Sequence, residues 1–220
     1  MASRRLYYDG CAAAHGLDLV GERWALLVVR ELMLGPKRFT DLRDGLPQAS
    51  PNVLAQRLRD LEQAGVVQRR RLPPPAASAV YELTEWGLEL EPVLQSLGRW
   101  ASRSPLMPDG ASIGLDSFVL ALRTMFNAAA AEGVTASYEL RLGVHTFRVR
   151  IADGEFDVTR GTAEHPNAVI IGEVEALAGV VFGGRPLSDA IRDGDLELSG
   201  DTDAVARFVT LFPLPDRVSA

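Results

Sequence analysis

The chain has one cysteine, Cys11, in 220 residues. A single thiol cannot close an internal disulfide and cannot furnish the ligand set of a zinc finger. Long apolar runs are also missing: none reaches the roughly 18 residues that cross a bilayer. The opening MASRRLYYDG has charge but no apolar stretch behind it, which argues against a secretory leader. These absences lead us to expect a reducing cytoplasm and no membrane association. What is present, 47% hydrophobic and 24% charged residues, is the composition of a folded chain and excludes wholesale disorder or a fibre.

The net charge of −6 conceals two different halves. Residues 1–104 hold 14 Lys+Arg against 12 Asp+Glu, a balance of +2; residues 105–220 hold 9 against 17, a balance of −8. A mildly basic half can approach a polyanion, whereas a strongly acidic one is repelled from it. The seam is expected in Ser102-Arg103-Ser104-Pro105-Leu106-Met107-Pro108-Asp109-Gly110, a polar stretch with two prolines and a glycine. Two domains follow, 1–104 and 105–220, each of ordinary size.

The first half reads as helices at Ala12–Val20, Trp24–Leu34 and Phe39–Leu46, then a fourth opened by Ser50 as N-cap with Pro51 in its first turn. Gly65 ends it. Val66 to Leu72 and Val80 to Leu83 are strand-like and flank the biased stretch 73–78, a hairpin tip. A last helix is expected from Thr84 to about Ser102. Three helices followed by a hairpin is the order of a winged helix-turn-helix.

On the fourth helix, steps of 100° per residue bring Leu58 and Leu61 within about 40° of Leu54, so these three face the core. The opposite face holds Asn52, Gln56, Arg59 and Gln63 beyond the cap Ser50. Asn and Gln amides can bond adenine bidentately and Arg can bond guanine. A solvated polar face is the plainer alternative. The hairpin tilts the balance: among the consecutive Arg69, Arg70 and Arg71, alternate side chains leave opposite faces, so one or two point to solvent, where they can meet phosphates or a minor groove. Lys37 and Arg38, in the turn before the third helix, are candidates for further backbone contacts.

Five spaced segments carry a family likeness: Cys11-Ala-Ala-Ala-His-Gly-Leu-Asp-Leu-Val-Gly-Glu-Arg-Trp24, Leu-Leu-Val-Val-Arg-Glu-Leu32, Gly35-Pro-Lys-Arg-Phe39, Leu54-Ala-Gln-Arg-Leu58-Arg-Asp-Leu61 and Tyr81-Glu-Leu-Thr84-Glu-Trp-Gly87. Residues 8–102 resemble the HxlR family of bacterial transcriptional regulators, relatives of MarR. The resemblance implies a dimeric winged helix on a palindromic operator in double-stranded DNA, with the helix from Ser50 in the major groove. The family often has Pro after its first cysteine, where this chain has Ala12. Independently, Trp86, Leu90, Val93, Leu97 and Trp100 recur at spacings of 4, 3, 4 and 3, a seam suited to a partner helix or to the chain's own core. The resemblance favours homodimerisation. Pro92 should bend this helix. Cys11 matches the position of a thiol sensor in several members of the family. Reactivity needs a lowered pKa and access, to which Arg4 and Arg5 could contribute; a small buried cysteine in the first helix is the commoner case.

In the acidic half a helix is expected from Leu115 through Phe118 and Phe126 to Gly133. Tyr138, Leu140 and Leu142 then alternate with Glu139 and Arg141, and Phe147, Val149 and Ile151 with Arg148 and Arg150, as in an antiparallel meander with one apolar face. Asp153-Gly154 is its turn. A strand at Ala168–Ile171, helices at Glu173–Phe182 and Leu187–Arg192, a strand at Leu196–Ser199 and a helix capped by Asp201 complete an α+β domain. His165-Pro-Asn-Ala-Val-Ile-Ile-Gly172, Leu177, Gly183-Gly-Arg-Pro-Leu187 and Gly194-Asp-Leu-Glu-Leu-Ser-Gly200-Asp201 resemble the sterol-carrier-protein type of lipid-binding domain over residues 115–213. That likeness implies a five-stranded sheet and an apolar tunnel. Candidate lining residues are Phe118, Leu122, Phe126, Val181, Phe182, Phe208 and Phe212, each of which could equally be filling the core.

Neither half shows a nucleophile–base pair, a metal-ligand spacing or a nucleotide loop, so neither an enzyme nor a cofactor is expected. The leading expectation is a dimeric transcription factor with a small apolar or amphipathic ligand. A lipid carrier or scaffold that uses its winged helix for protein contacts, and a redox switch through Cys11, are the competing readings.

Overall fold

The computed structural model describes residues 6–74, 78–108 and 110–219. Arg4, Arg5, the centre of the hairpin tip and Asp109 lie outside the described residues. The chain forms two compact units, residues 1–94 and 95–220.

The first unit contains α1 (Ala12–Val20), α2 (Ala25–Leu32), α3 (Phe39–Gly45), α4 (Pro51–Gln63), β1 (Val67–Arg71), β2 (Ala79–Leu83), α5 (Glu85–Leu88) and the start of α6 (Glu91–Ala101). Its core is aliphatic: Val28, Val29 and Leu32 of α2 and Leu42 of α3 are buried with Leu54, Leu58 and Leu61 of α4 and with Val67, Val80 and Leu83 of the hairpin. α2 starts one residue later than its apolar pattern suggests, because Trp24 takes a left-handed backbone (φ 77°) as its N-cap. β1 and β2 pair antiparallel, Arg69 opposite Tyr81. Lys37 bridges to β2: its backbone N–H donates to the Tyr81 carbonyl (2.9 Å), and its carbonyl accepts from the Tyr81 N–H (2.8 Å). The wing is thereby sewn to the turn before α3.

The continuous helix expected from Thr84 to about Ser102 is instead two. Thr84 caps α5, its Oγ1 accepting from the Gly87 N–H at 3.0 Å, and the chain turns at Glu89-Leu90 before α6 begins. Pro92 therefore sits in the first turn of α6, where its missing N–H breaks no intrahelical bond, and it starts a helix rather than bending one.

The second unit takes in the rest of α6, then α7 (Leu115–Met125), β3 (Ala136–Leu142), β4 (His145–Ala152), β5 (Glu155–Arg160), β6 (Ala168–Gly172), α8 (Val174–Val181), α9 (Leu187–Arg192), β7 (Leu196–Gly200) and α10 (Thr202–Phe208). The division falls within α6 because its second half is tied to α7: the Arg99 guanidinium donates to the Thr124 carbonyl. The sheet has the order β5-β4-β3-β6-β7. It is not wholly antiparallel, since β3 and β6 run parallel, with Tyr138 opposite Ala168; the β4–β5 hairpin extends one side of β3 and the chain must return past it. One face buries Tyr138, Leu140, Phe147, Val149 and Ile151 under the helices. α7 ends at Met125, well short of Gly133: Phe126 is extended (ψ 130°), and the Asn127 side chain then accepts from the N–H groups of Ala129 and Ala130. No helix among the described residues is long and apolar enough to cross a membrane.

Candidate nucleic-acid interface

α4 is positioned from within. Ser50 accepts from the Val53 N–H at 3.4 Å, and Pro51 occupies the first turn. Leu54, Leu58 and Leu61 are buried, which turns Asn52, Gln56, Arg59 and Gln63 outward; all four are exposed, as is Ser50. The exposed face is not a set of independent side chains. Arg59 donates to Gln56 Oε1 (2.7 Å), and Gln56 Nε2 donates to Asp60 Oδ1 (2.7 Å). Arg57 meets the other Asp60 oxygen at 3.1 Å and Glu22 at 3.6 Å.

The three wing arginines have separate settings. Arg70 forks onto Glu82, its Nε and Nη2 donating at 2.9 Å each, and Gln68 also donates to Glu82 at 3.0 Å. The Arg70 hydrogen bond holds the Glu82 carboxyl below the usual carboxylate range. The Arg69 guanidinium lies 5.8 Å from the centre of the Tyr81 ring. Arg71 is exposed at the end of β1. Arg38 is exposed, and its backbone N–H caps α3 through Asp41 at 3.0 Å. Lys37 is directed elsewhere than expected: its ammonium meets the buried Glu31, which Arg30 also holds at 2.9 Å. A glutamate in the core phase of the apolar α2 requires a cation; that is the signal that could have revealed Lys37's partner.

The stripe expected to mediate dimerisation is largely uncovered. Trp86, Val93 and Leu97 are about half exposed, Trp100 is 74% exposed, and Leu90 is intermediate. Cys11 departs from the commoner expectation of burial within a helix. It is exposed and is the N-cap of α1 without a side-chain cap hydrogen bond, and the nearby backbone N–H groups of Ala14 and then Ala13 favour its thiolate and lower its pKa.

In the second unit the apolar candidates fall into two groups. Phe118 meets Phe182 edge-on at 5.9 Å, with Leu122 buried on the same helix and Val181 half-buried on α8. Phe126, Phe208 and Phe212 form a second cluster with two aromatics of the sheet that were not among the candidate lining residues, Phe156 and Tyr138. Phe118, Leu122, Phe208 and Phe212 are fully buried, so a ligand touching them has to part packed helices. On the other sheet face Glu139 is buried, accepting from the Ala163 N–H (2.8 Å) and Arg141 (2.7 Å). Among the described residues no group of three or more His, Cys, Asp and Glu could hold a metal ion.

A family model described as HxlR-like helix-turn-helix matches residues 19–106, and one described as the SCP-2 sterol transfer family matches residues 123–213. The HTH-type transcriptional regulator YodB of Bacillus subtilis is 41% identical over 86 residues, which are 39% of this chain and 77% of YodB. The HTH-type regulator YvaP of the same organism is 37% identical over 39% of this chain and 80% of its own length. The solved reduced form of YodB superposes with a TM-score of 0.41 at 37% identity, covering 45% of this chain and 98% of that one.

Proposed function

Since the chain belongs to the HxlR-like helix-turn-helix family of transcriptional regulators and carries a C-terminal domain of the SCP-2 sterol transfer type, we propose that it binds a palindromic operator as a cytoplasmic homodimer and that its C-terminal domain takes a small apolar or amphipathic effector. The observation that carries this reading is the exposed amide-and-guanidinium face of α4, set in the same unit as the arginine-bearing wing. Ser50, Asn52, Gln56, Arg59 and Gln63 are the groove-facing residues; Arg38, Arg69 and Arg71 are the phosphate contacts, with Arg70 able to join them by exchanging Glu82 for phosphate. Residues 1–104 supply DNA binding and dimerisation, and residues 105–220 supply the effector domain. Two recognition helices must match half-sites about 34–36 Å apart. An effector changes affinity when it binds the matching and non-matching arrangements unequally.

Retardation of the gene's own promoter fragment tests the reading. Preferential binding over an unrelated duplex, weakening as salt rises, supports it; binding indifferent to both salt and sequence overturns it.

A second reading, regulation through the thiol, is favoured by the exposure of Cys11 and its lowered pKa. Cys11→Ser separates the two: release of operator by an apolar effector survives the substitution under the first reading, whereas loss of all response, to oxidants and electrophiles included, supports the second.

A further inference from the structure

Gln56 has two N–H donors and two acceptor lone pairs. On α4 one of each is already used. Nε2 donates to Asp60, and Oε1 accepts from Arg59. A charged acceptor on one side and a charged donor on the other permit only one orientation of the amide. Asp60 is itself fixed, because its second oxygen meets Arg57, whose side chain is only 17% exposed and which also faces Glu22. Gln56 retains one donor and one acceptor, complementary to the N7 acceptor and N6 donor that adenine presents in a major groove.

We infer that Asp60 is a positioning residue for base recognition: it sets the Gln56 amide, and through it the Arg59 guanidinium, before DNA arrives. This rests on the reading of α4 as the groove-facing helix. Without Asp60 the long Gln56 side chain is ordered only on contact, and discrimination at its base pair falls by about threefold to tenfold. A Gln–Asp pair four residues apart also steadies a helix slightly, but that role has no preference among bases. The two roles therefore separate experimentally. Removing a carboxylate from a DNA-facing surface should leave non-specific affinity unchanged or raise it.

The test begins with duplexes selected by the full-length wild-type protein from a pool of random sequence. Dissociation constants for the selected site, its single-base variants and an unrelated duplex are then measured for wild type, Gln56→Ala, Asp60→Ala and Asp60→Asn. Gln56→Ala identifies the base pair that Gln56 reads. Asp60→Ala should lose discrimination at that pair while keeping its affinity for unrelated duplex, and Asp60→Asn, whose single oxygen cannot accept from both Gln56 and Arg57, should lose discrimination too. Undiminished discrimination by Asp60→Ala, or an equal loss of affinity for every duplex, overturns the inference while leaving α4 as the reader. A wild-type protein that selects no sequence overturns both.

Discussion

A β-carbon added to Gly87 would sit 2.1 Å from the Val66 carbonyl oxygen, and Val66 opens the connection into the wing. Backbone cannot yield there as a side-chain tip can, so Gly87→Ala should destabilise the protein by roughly 2 kcal/mol or more, read as a lower urea midpoint. At this scale much could be read from the sequence, and what could not follows a pattern. The outward setting of Gln56 and Arg59 follows from the spacing of Leu54, Leu58 and Leu61, a purely local regularity. Their coupling through Asp60 depends on rotamers, which spacing does not specify. Lys37 looked like a solvent-facing base in a turn, but the buried Glu31 draws it inward.

At the scale of elements, the wing is held by Arg70 and Glu82 across β1 and β2. Glu82 has a folded-state pKa below its ordinary value, chiefly because of the Arg70 hydrogen bond. The stability it contributes is present above the unfolded value and is lost as pH falls through the folded one. Wild type should lose stability more steeply than Glu82→Gln between about pH 5 and about pH 3, a comparison that urea melts at several pH values can make; equal slopes would refute it. Glu139, depressed mainly by the Ala163 N–H, adds the same sign of dependence in the second unit. On the wing itself, Arg71→Ala should reduce the salt slope of DNA binding by about one, as for a single phosphate contact. Binding isotherms across a salt series would show it. α1, α4 and α9 matched expectation closely. The break between α5 and α6 and the early end of α7 did not, because a first-turn proline and the Asn127 turn outweigh an apolar repeat that runs on past them. The parallel pairing of β3 with β6 is a long-range choice to which alternation within a strand is blind.

For the whole molecule, the motifs of the N-terminal half were specific enough to give its family, and the glycine and apolar spacing of the acidic half gave the second domain. How an apolar stripe on α5 and α6 is used was open in the sequence, because a heptad seam fits a partner helix and an inner core equally well. Its exposure in the folded chain, 74% at Trp100, favours a partner. The proposed homodimer seam is tested by Trp100→Glu, which should lower the mass in sedimentation to that of a monomer with little change in helix content; an unchanged mass would contradict this seam. The central claim, that α4 reads base edges, is tested most directly by fluorescence anisotropy of wild type and Arg59→Ala on a selected operator and on an unrelated duplex at matched salt. Arg59→Ala should bind the operator about 1–3 kcal/mol more weakly while its affinity for the unrelated duplex changes much less. Equal losses on both duplexes, or no loss on either, would contradict the claim.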